Sequence, residues 1–210
     1  MTPKLPVLAA AMLLAGIFCT QSCSRKTPDP QASVAADSAS HYSVRNFVRG
    51  QAILLEGQPI TLFRILRENG SFDSSLLPIT ALNWSEVIPA FVNSDISAPQ
   101  FTGRYQFSIS DDDVTATRIL TYTATRPDLF TRLFQINTDA ETYAVKSIYI
   151  ENRSSGFWRS RSQKLLYIPG NIVQIQETED PLIGKTIQKR LEYKFMRDES
   201  DRSDVHIVEE

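Results

Sequence analysis

The run Leu191-Glu192-Tyr193-Lys194-Phe195 alternates large apolar and charged residues without a break. A period of two places the apolar side chains on one face of an extended chain and the charges on the other. Phe101 to Ile109 repeats the pattern: Phe101, Tyr105, Phe107 and Ile109 fall on one face, with Gly103 between them. Thr102, Arg104, Gln106 and Ser108 fall on the other. Strands that bury one face and wet the other are those of antiparallel sheets.

More strands are expected at Arg118 to Ala124, Leu129 to Ile136, Tyr143 to Ile150, Phe157 to Ile168 and Ile172 to Gln176. Turn-forming clusters separate them at 126–128, 137–141, 152–156, 169–171 and 180–184. Short connections between successive strands imply a meander. An earlier hairpin is expected from Phe47 to Leu55, a turn at Glu56-Gly57-Gln58-Pro59, and Ile60 to Arg67. One stretch reads as helix. Asn83 and Glu86 have the spacing of a capping box, and Trp84, Val87, Ile88 and Phe91 lie close to one helical face, although Pro89 argues against a long helix. A further short turn is expected in Ser74 to Leu82. The fold class is therefore mainly β: a curved antiparallel sheet, a half-barrel or barrel-like meander of about nine strands, with one or two short helices.

The first residues have a different character. Lys4 precedes an uncharged apolar run from Leu5 to Phe18, and small polar residues follow. This is the layout of a secretory signal peptide, and a run of about 14 residues is shorter than the roughly 20 needed to span a bilayer. The two cysteines, Cys19 and Cys23, lie at its exit, and no third cysteine exists to build a disulfide framework. Thr20-Gln21-Ser22-Cys23-Ser24 resembles the lipobox of bacterial lipoproteins. Ser22 supplies the small residue before the cut, while Thr20 and Gln21 stand where that family has Leu and a small residue. The resemblance implies cleavage before Cys23 and diacylglycerol on its sulfur. It also implies a bacterial envelope protein held on a membrane by lipid. Ser24 in place of an Asp retention signal favours the outer membrane.

The chain divides into residues 1–22, signal peptide; 23–41, lipidated cysteine and flexible tether; 42–196, the antiparallel β domain; and 197–210, a disordered acidic tail. Loss of residues 1–22 removes one base, Lys4, and leaves 21 basic against 24 acidic residues, a net charge of −3. Nothing in that balance asks for nucleic acid. Lipid anchor, tether and curved sheet together are similar in plan to the envelope half-barrel proteins that carry lipoproteins to the outer membrane and receive them there. That likeness implies a lipid or lipoprotein ligand.

Catalytic residues are not expected. His41 falls in the tether and His206 in the tail. This leaves the domain without the usual general base, nucleophile pair or histidine metal site. No glycine-rich phosphate loop occurs, so no cofactor is implied. Asp111-Asp112-Asp113 lacks the ligand spacing of a calcium loop and reads as a solvated turn. Glu177, Glu179 and Asp180 would support acid–base chemistry only as a carboxylate pair facing one cleft. Phe157, Trp158, Arg159 and Arg161 form the candidate ligand contact, because arginine beside aromatics suits a carboxylate, sugar or phosphate headgroup. The competing reading, which the pattern favours, puts Trp158 in the core of an edge strand and the arginines in water. The expected function is a non-enzymatic lipoprotein binding an apolar, lipid-like ligand or another lipoprotein. The alternative is an accessory subunit of an outer-membrane protein assembly.

Mass spectrometry of the detergent-extracted protein is expected to find Cys23 as the first residue, carrying diacylglycerol. An N-terminus upstream of Cys23, or a free thiol there, refutes the anchor.

Overall fold

The structure, a computed structural model, describes residues 42–82 and 84–196. Cys23, His41, His206, the tether and the tail lie outside them. Strands β1 (Thr61–Glu68) and β2 (Ser71–Pro78) form a hairpin. Seven more follow as a meander: β3 (Tyr105–Asp112), β4 (Thr117–Ala124), β5 (Thr131–Asp139), β6 (Val145–Ser155), β7 (Arg159–Ile168), β8 (Ile172–Pro181) and β9 (Ile187–Met196). β1 pairs with β9, which gives one nine-stranded antiparallel sheet in the order β2-β1-β9-β8-β7-β6-β5-β4-β3. β2 and β3 are its edges, so the sheet is not closed into a barrel.

Register carries the alternating pattern across the strands. Leu66, Leu191, Ile175, Leu165, Ile150, Phe134, Tyr122 and Phe107 are successive cross-strand partners from β1 to β3. The neighbouring row runs Arg64, Tyr193, Val173, Tyr167, Ile148, Ile136, Leu120 and Ile109. A one-residue slip anywhere would turn a strand's apolar set outward, so these rows also lock the register.

Helices α1 (Val44–Leu55) and α2 (Trp84–Val92) cover this inner face. Tyr42 packs on Phe134, and Phe47 of α1 and Phe91 of α2 both stand edge-on to Tyr167 at centroid distances of 5.7 and 6.0 Å. Phe91, Phe134 and Tyr167 are fully buried. A phenylalanine-sized side chain contributes roughly 1.5–3 kcal/mol when removed from water.

Two sequence expectations are corrected. Phe47 to Leu55 is helix α1, not a strand. Val44, Val48 and Leu55 are its buried residues and follow helical spacing, and Ala52-Ile53-Leu54-Leu55 is an apolar run without alternation. The partner of β1 is β2 instead. Their two-residue turn is Asn69-Gly70, with φ of 49° and 88°, the left-handed pair that a tight hairpin demands. Phe101, expected to open a strand, ends a short 3₁₀ turn (Pro99–Phe101), and Gly103 at φ 72° redirects the chain before β3 starts at Tyr105. Pro89 lies within α2, which nonetheless continues, since the Asn93 N–H donates to the Pro89 carbonyl at 2.9 Å.

Asp95, buried just after α2, fixes where α1 begins. Its Oδ2 accepts from the Ser43 hydroxyl at 2.7 Å and from the Arg45 N–H at 2.8 Å, and Oδ1 accepts from the Ser97 N–H at 2.8 Å. The Ser43 hydroxyl oxygen in turn accepts from the Asn46 N–H. A carboxylate at a helix N-terminus satisfies unpaired amides and complements the helix dipole. Burial pushes the Asp95 pKa up, but the hydrogen bonds from Ser97, Ser43 and Arg45 outweigh it and hold it below the usual carboxylate range. A depressed native pKa means stability that is complete above the unfolded value, about 3.9, and lost as pH falls through the native one. Urea unfolding from neutral pH downward should therefore show wild type more stable than Asp95→Asn, with the gap narrowing only below about pH 4. A gap unchanged down to the lowest pH would show that ionised Asp95 is not what holds α1.

Candidate functional site

The inner face changes character one row beyond Leu165. The next cross-strand partners are Glu68, Lys189, Glu177, Gln163, Asn152 and Thr131, all polar. Glu177, Gln163, Asn152 and Thr131 are joined with Ser94, just after α2, in a hydrogen-bonded chain. Thr131 Oγ1 donates to the Ser94 carbonyl at 3.2 Å. Asn152 Nδ2 donates to Ser94 Oγ at 2.7 Å and to Gln163 Oε1 at 2.8 Å, and Gln163 Nε2 donates to Glu177 Oε1 at 2.6 Å. Arg161 reaches the same Glu177 oxygen at 2.7 Å, and Lys189 pairs with Glu86 of α2 at 3.0 Å. The chain runs from buried Asn152 to an open cleft of about 230 Å³ beside Pro89, Phe130 and Arg161.

Glu86 and Glu177 both line that cleft, so a carboxylate pair does face one opening. Each is already an ion-pair acceptor, Glu86 for Lys189 and Glu177 for Arg161. Glu179 pairs with Arg159 at 3.1 Å, and Asp180 accepts from the Thr186 hydroxyl at 2.7 Å. All three acids lie on strand β8 rather than in a turn. Asp111 and Asp112 likewise belong to β3. Asp111 takes a two-pronged bond from Arg118, and Asp112 caps the β3–β4 turn through Thr115 and Val114. Among the described residues no group of three or more His, Cys, Asp or Glu is placed to hold a metal ion.

A second opening is apolar. At the other end of the strands, the C-terminus of α1, the 3₁₀ turn Ile79–Ala81 and the start of α2 enclose a pocket of about 330 Å³. Ile53, Leu55, Ile79 and Trp84 line it, with Glu56 and Thr80 among its polar groups. Gly57, at φ 76°, lets the chain turn away sharply after α1. The Ile79 N–H donates to the Ile60 carbonyl at 2.9 Å and ties the pocket floor to the first hairpin.

Phe157, Trp158, Arg159 and Arg161 do not line the apolar pocket. β7 is an interior strand, not an edge, and Trp158 is outside the core. Phe157 and Trp158 occupy the β6–β7 turn, in edge-to-face contact at 4.9 Å. With the chain reversing there, no sheet face is available to bury them. Arg159 and Arg161 are solvated, as the competing reading had it, and paired with Glu179 and Glu177. Trp84, on the apolar face of α2, packs against the core and also forms pocket wall. The pocket escaped sequence reasoning because its walls come from α1, the 3₁₀ turn and α2, which only tertiary packing assembles. The apolar doublet Ile53-Leu54, exposed on α1 beside it, was the one readable signal.

Compared with protein-family models, curated proteins and solved structures, the chain matches none. No helix among the described residues is long and apolar enough to cross a membrane.

Asn152 is the interior link of the polar chain, and its Oδ1 has no partner. Asn152→Ala is expected to cost about 1–3 kcal/mol, because Ser94 and Gln163 lose a buried partner. Arg161→Ala removes an exposed ion pair and should cost no more than about 1 kcal/mol. Denaturant unfolding of both variants checks the order, and equal effects would show that the buried link carries no special weight.

Proposed function

We propose that this chain is a non-catalytic, membrane-anchored envelope lipoprotein that holds an apolar chain, such as a lipid acyl segment, in the pocket between α1 and α2. The observation that carries the reading is the pocket: open, walled by Ile53, Leu55, Ile79 and Trp84, and about 330 Å³ in volume. Ligand sites are concave, mostly apolar and about 300–1,000 Å³, with a few polar groups to set orientation. The pocket is at the low end of that range and suits one chain rather than a bulky ligand. α1 and α2 pack on the inner face, so the ligand sits where α1 ends and α2 begins rather than along the centre of the sheet. The cleft at the opposite end, lined by Glu86 and Glu177, each paired with a base, takes no ligand in this reading.

A second reading, an accessory subunit of an outer-membrane assembly, draws on the edge hairpin. β2 leaves one side unpaired, and Phe72 and Leu76 are exposed on it. An unpaired edge with apolar side chains is a surface on which another chain can add.

Titration with a fatty acid carrying an environment-sensitive fluorophore should show saturable binding that unlabelled palmitate displaces. Ala52→Phe, which fills the pocket from α1, should weaken binding at least about tenfold, the effect of about 1.4 kcal/mol. Binding unchanged in Ala52→Phe, or absent in wild type, overturns the pocket reading. A stoichiometric protein partner retained after mild extraction, with no fatty-acid binding, selects the second.

A further inference from the structure

The end of the sheet opposite the pocket carries an apolar tip. The β6–β7 and β8–β9 turns lie side by side, because Arg159 pairs with Pro181, and the Leu182 N–H donates to the Trp158 carbonyl at 2.7 Å. Phe157 is 81 % exposed, Trp158 68 %, Leu182 64 % and Ile183 84 %. Four large apolar side chains on two linked turns form a protrusion, not a groove. The backbone link and the Phe157–Trp158 contact hold them together in solvent.

Basic groups stand behind this tip. Arg132, Arg153 and Lys164 line a broad groove on the outer face of β5 to β7, of about 640 Å³, together with Ser155 and Ser162. Lys185 sits in the β8–β9 turn itself. The acids of this end are mostly engaged: Glu177 and Glu179 with arginines, and Glu151 with the Tyr149 hydroxyl and Lys164. Asp180 is bonded to Thr186. Among the described residues Arg153 and Lys185 have no acidic partner, whereas Arg132 donates to the Arg126 and Pro127 carbonyls and is held at the groove wall.

The geometry points to a bilayer-docking tip: Phe157, Trp158, Leu182 and Ile183 enter the membrane interface while Arg153 and Lys185 meet anionic headgroups and Lys164 adds its charge from behind them. Depth fits this arrangement. Arg153 is two residues before the end of β6, about 7 Å at the rise of a strand. The headgroup layer on each side of a bilayer is about 5–7 Å thick. Lys164, paired with Glu151, stands about 13 Å back, within a Debye length of that layer. A tryptophan with an exposed indole flanked by aliphatic residues suits the interface, where its ring is apolar and its N–H finds water. A convex tip can sink into lipid, whereas a protein partner would have to supply a matching socket. This contact is independent of the α1–α2 pocket and of any acyl group on Cys23.

The test reads the depth of Trp158. The full chain is reconstituted into vesicles of phosphatidylethanolamine and phosphatidylglycerol that contain a bromine-labelled phospholipid, and vesicle-bound protein is floated free of the rest. Tryptophan emission should fall by about half, since one of the two tryptophans lies in the interface. Trp158→Phe should abolish the quenched component. Phe157→Ser combined with Ile183→Ser should restore most of the emission, and Arg153→Glu or replacement of phosphatidylglycerol by phosphatidylcholine should restore part of it. All these positions are exposed, so folding is spared, and unchanged circular dichroism verifies it. Absence of quenching in wild type overturns the proposal, as does quenching that survives the double serine variant. Burial of the tip by a copurifying protein, with Trp158 shielded from brominated lipid, overturns it in favour of a protein socket.

Discussion

Both helices meet the sheet at Tyr167. Phe47 of α1 and Phe91 of α2 press edge-on against its ring, and the Tyr167 hydroxyl reaches Gln51 of α1 at 3.4 Å. An open antiparallel sheet with one continuous apolar row and a second that is apolar from Tyr193 to Ile109 cannot stay uncovered in water. Tyr167 is in the middle strand of that sheet, so whatever covers it from both sides also covers the rows to its left and right. Burial raises the pKa of its hydroxyl above the ordinary tyrosine value, consistent with a ring taken out of water. The Asp95 clip at the start of α1 then sets where along the sheet that helix lies.

This arrangement decides what openings remain. The helices pack on the inner face and leave two main openings beside them, one apolar and one polar. The gap at the α1 C-terminus is apolar because α1 and the 3₁₀ turn present Leu55 and Ile79 there. The gap at the other end is polar because the third inner row is Lys189, Glu177, Gln163, Asn152 and Thr131. A domain with one apolar and one polar end is oriented, and the protruding tip of Phe157, Trp158, Leu182 and Ile183 lies beyond the polar one.

The strands of the meander were legible because alternation is a local signal. Leu191, Tyr193 and Phe195 are buried as their spacing demanded, and α2 was visible in the spacing of Val87 and Phe91. Two features hide the first hairpin in the sequence. The apolar run at residues 52–55 has no clear period, and the Asn69-Gly70 turn, a strong local hairpin signal, competes with the more apolar segment before it. Trp158 was misplaced because aromatic character alone suggests burial, while a residue at a chain reversal has no face to bury it.

By itself the sequence determined the class of structure: period-two runs joined by short turns can only make an antiparallel sheet with one apolar face. Tertiary structure alone decided that β1 closes against β9 and that the sheet stays open. It also brought the Ile53–Trp84 pocket and the twin-turn tip into being. The physical reason is range. Alternation and turn chemistry act over a few residues, whereas Leu182 meets Trp158, and Asp95 meets Ser43, only after strands and helices distant in the chain have been packed together.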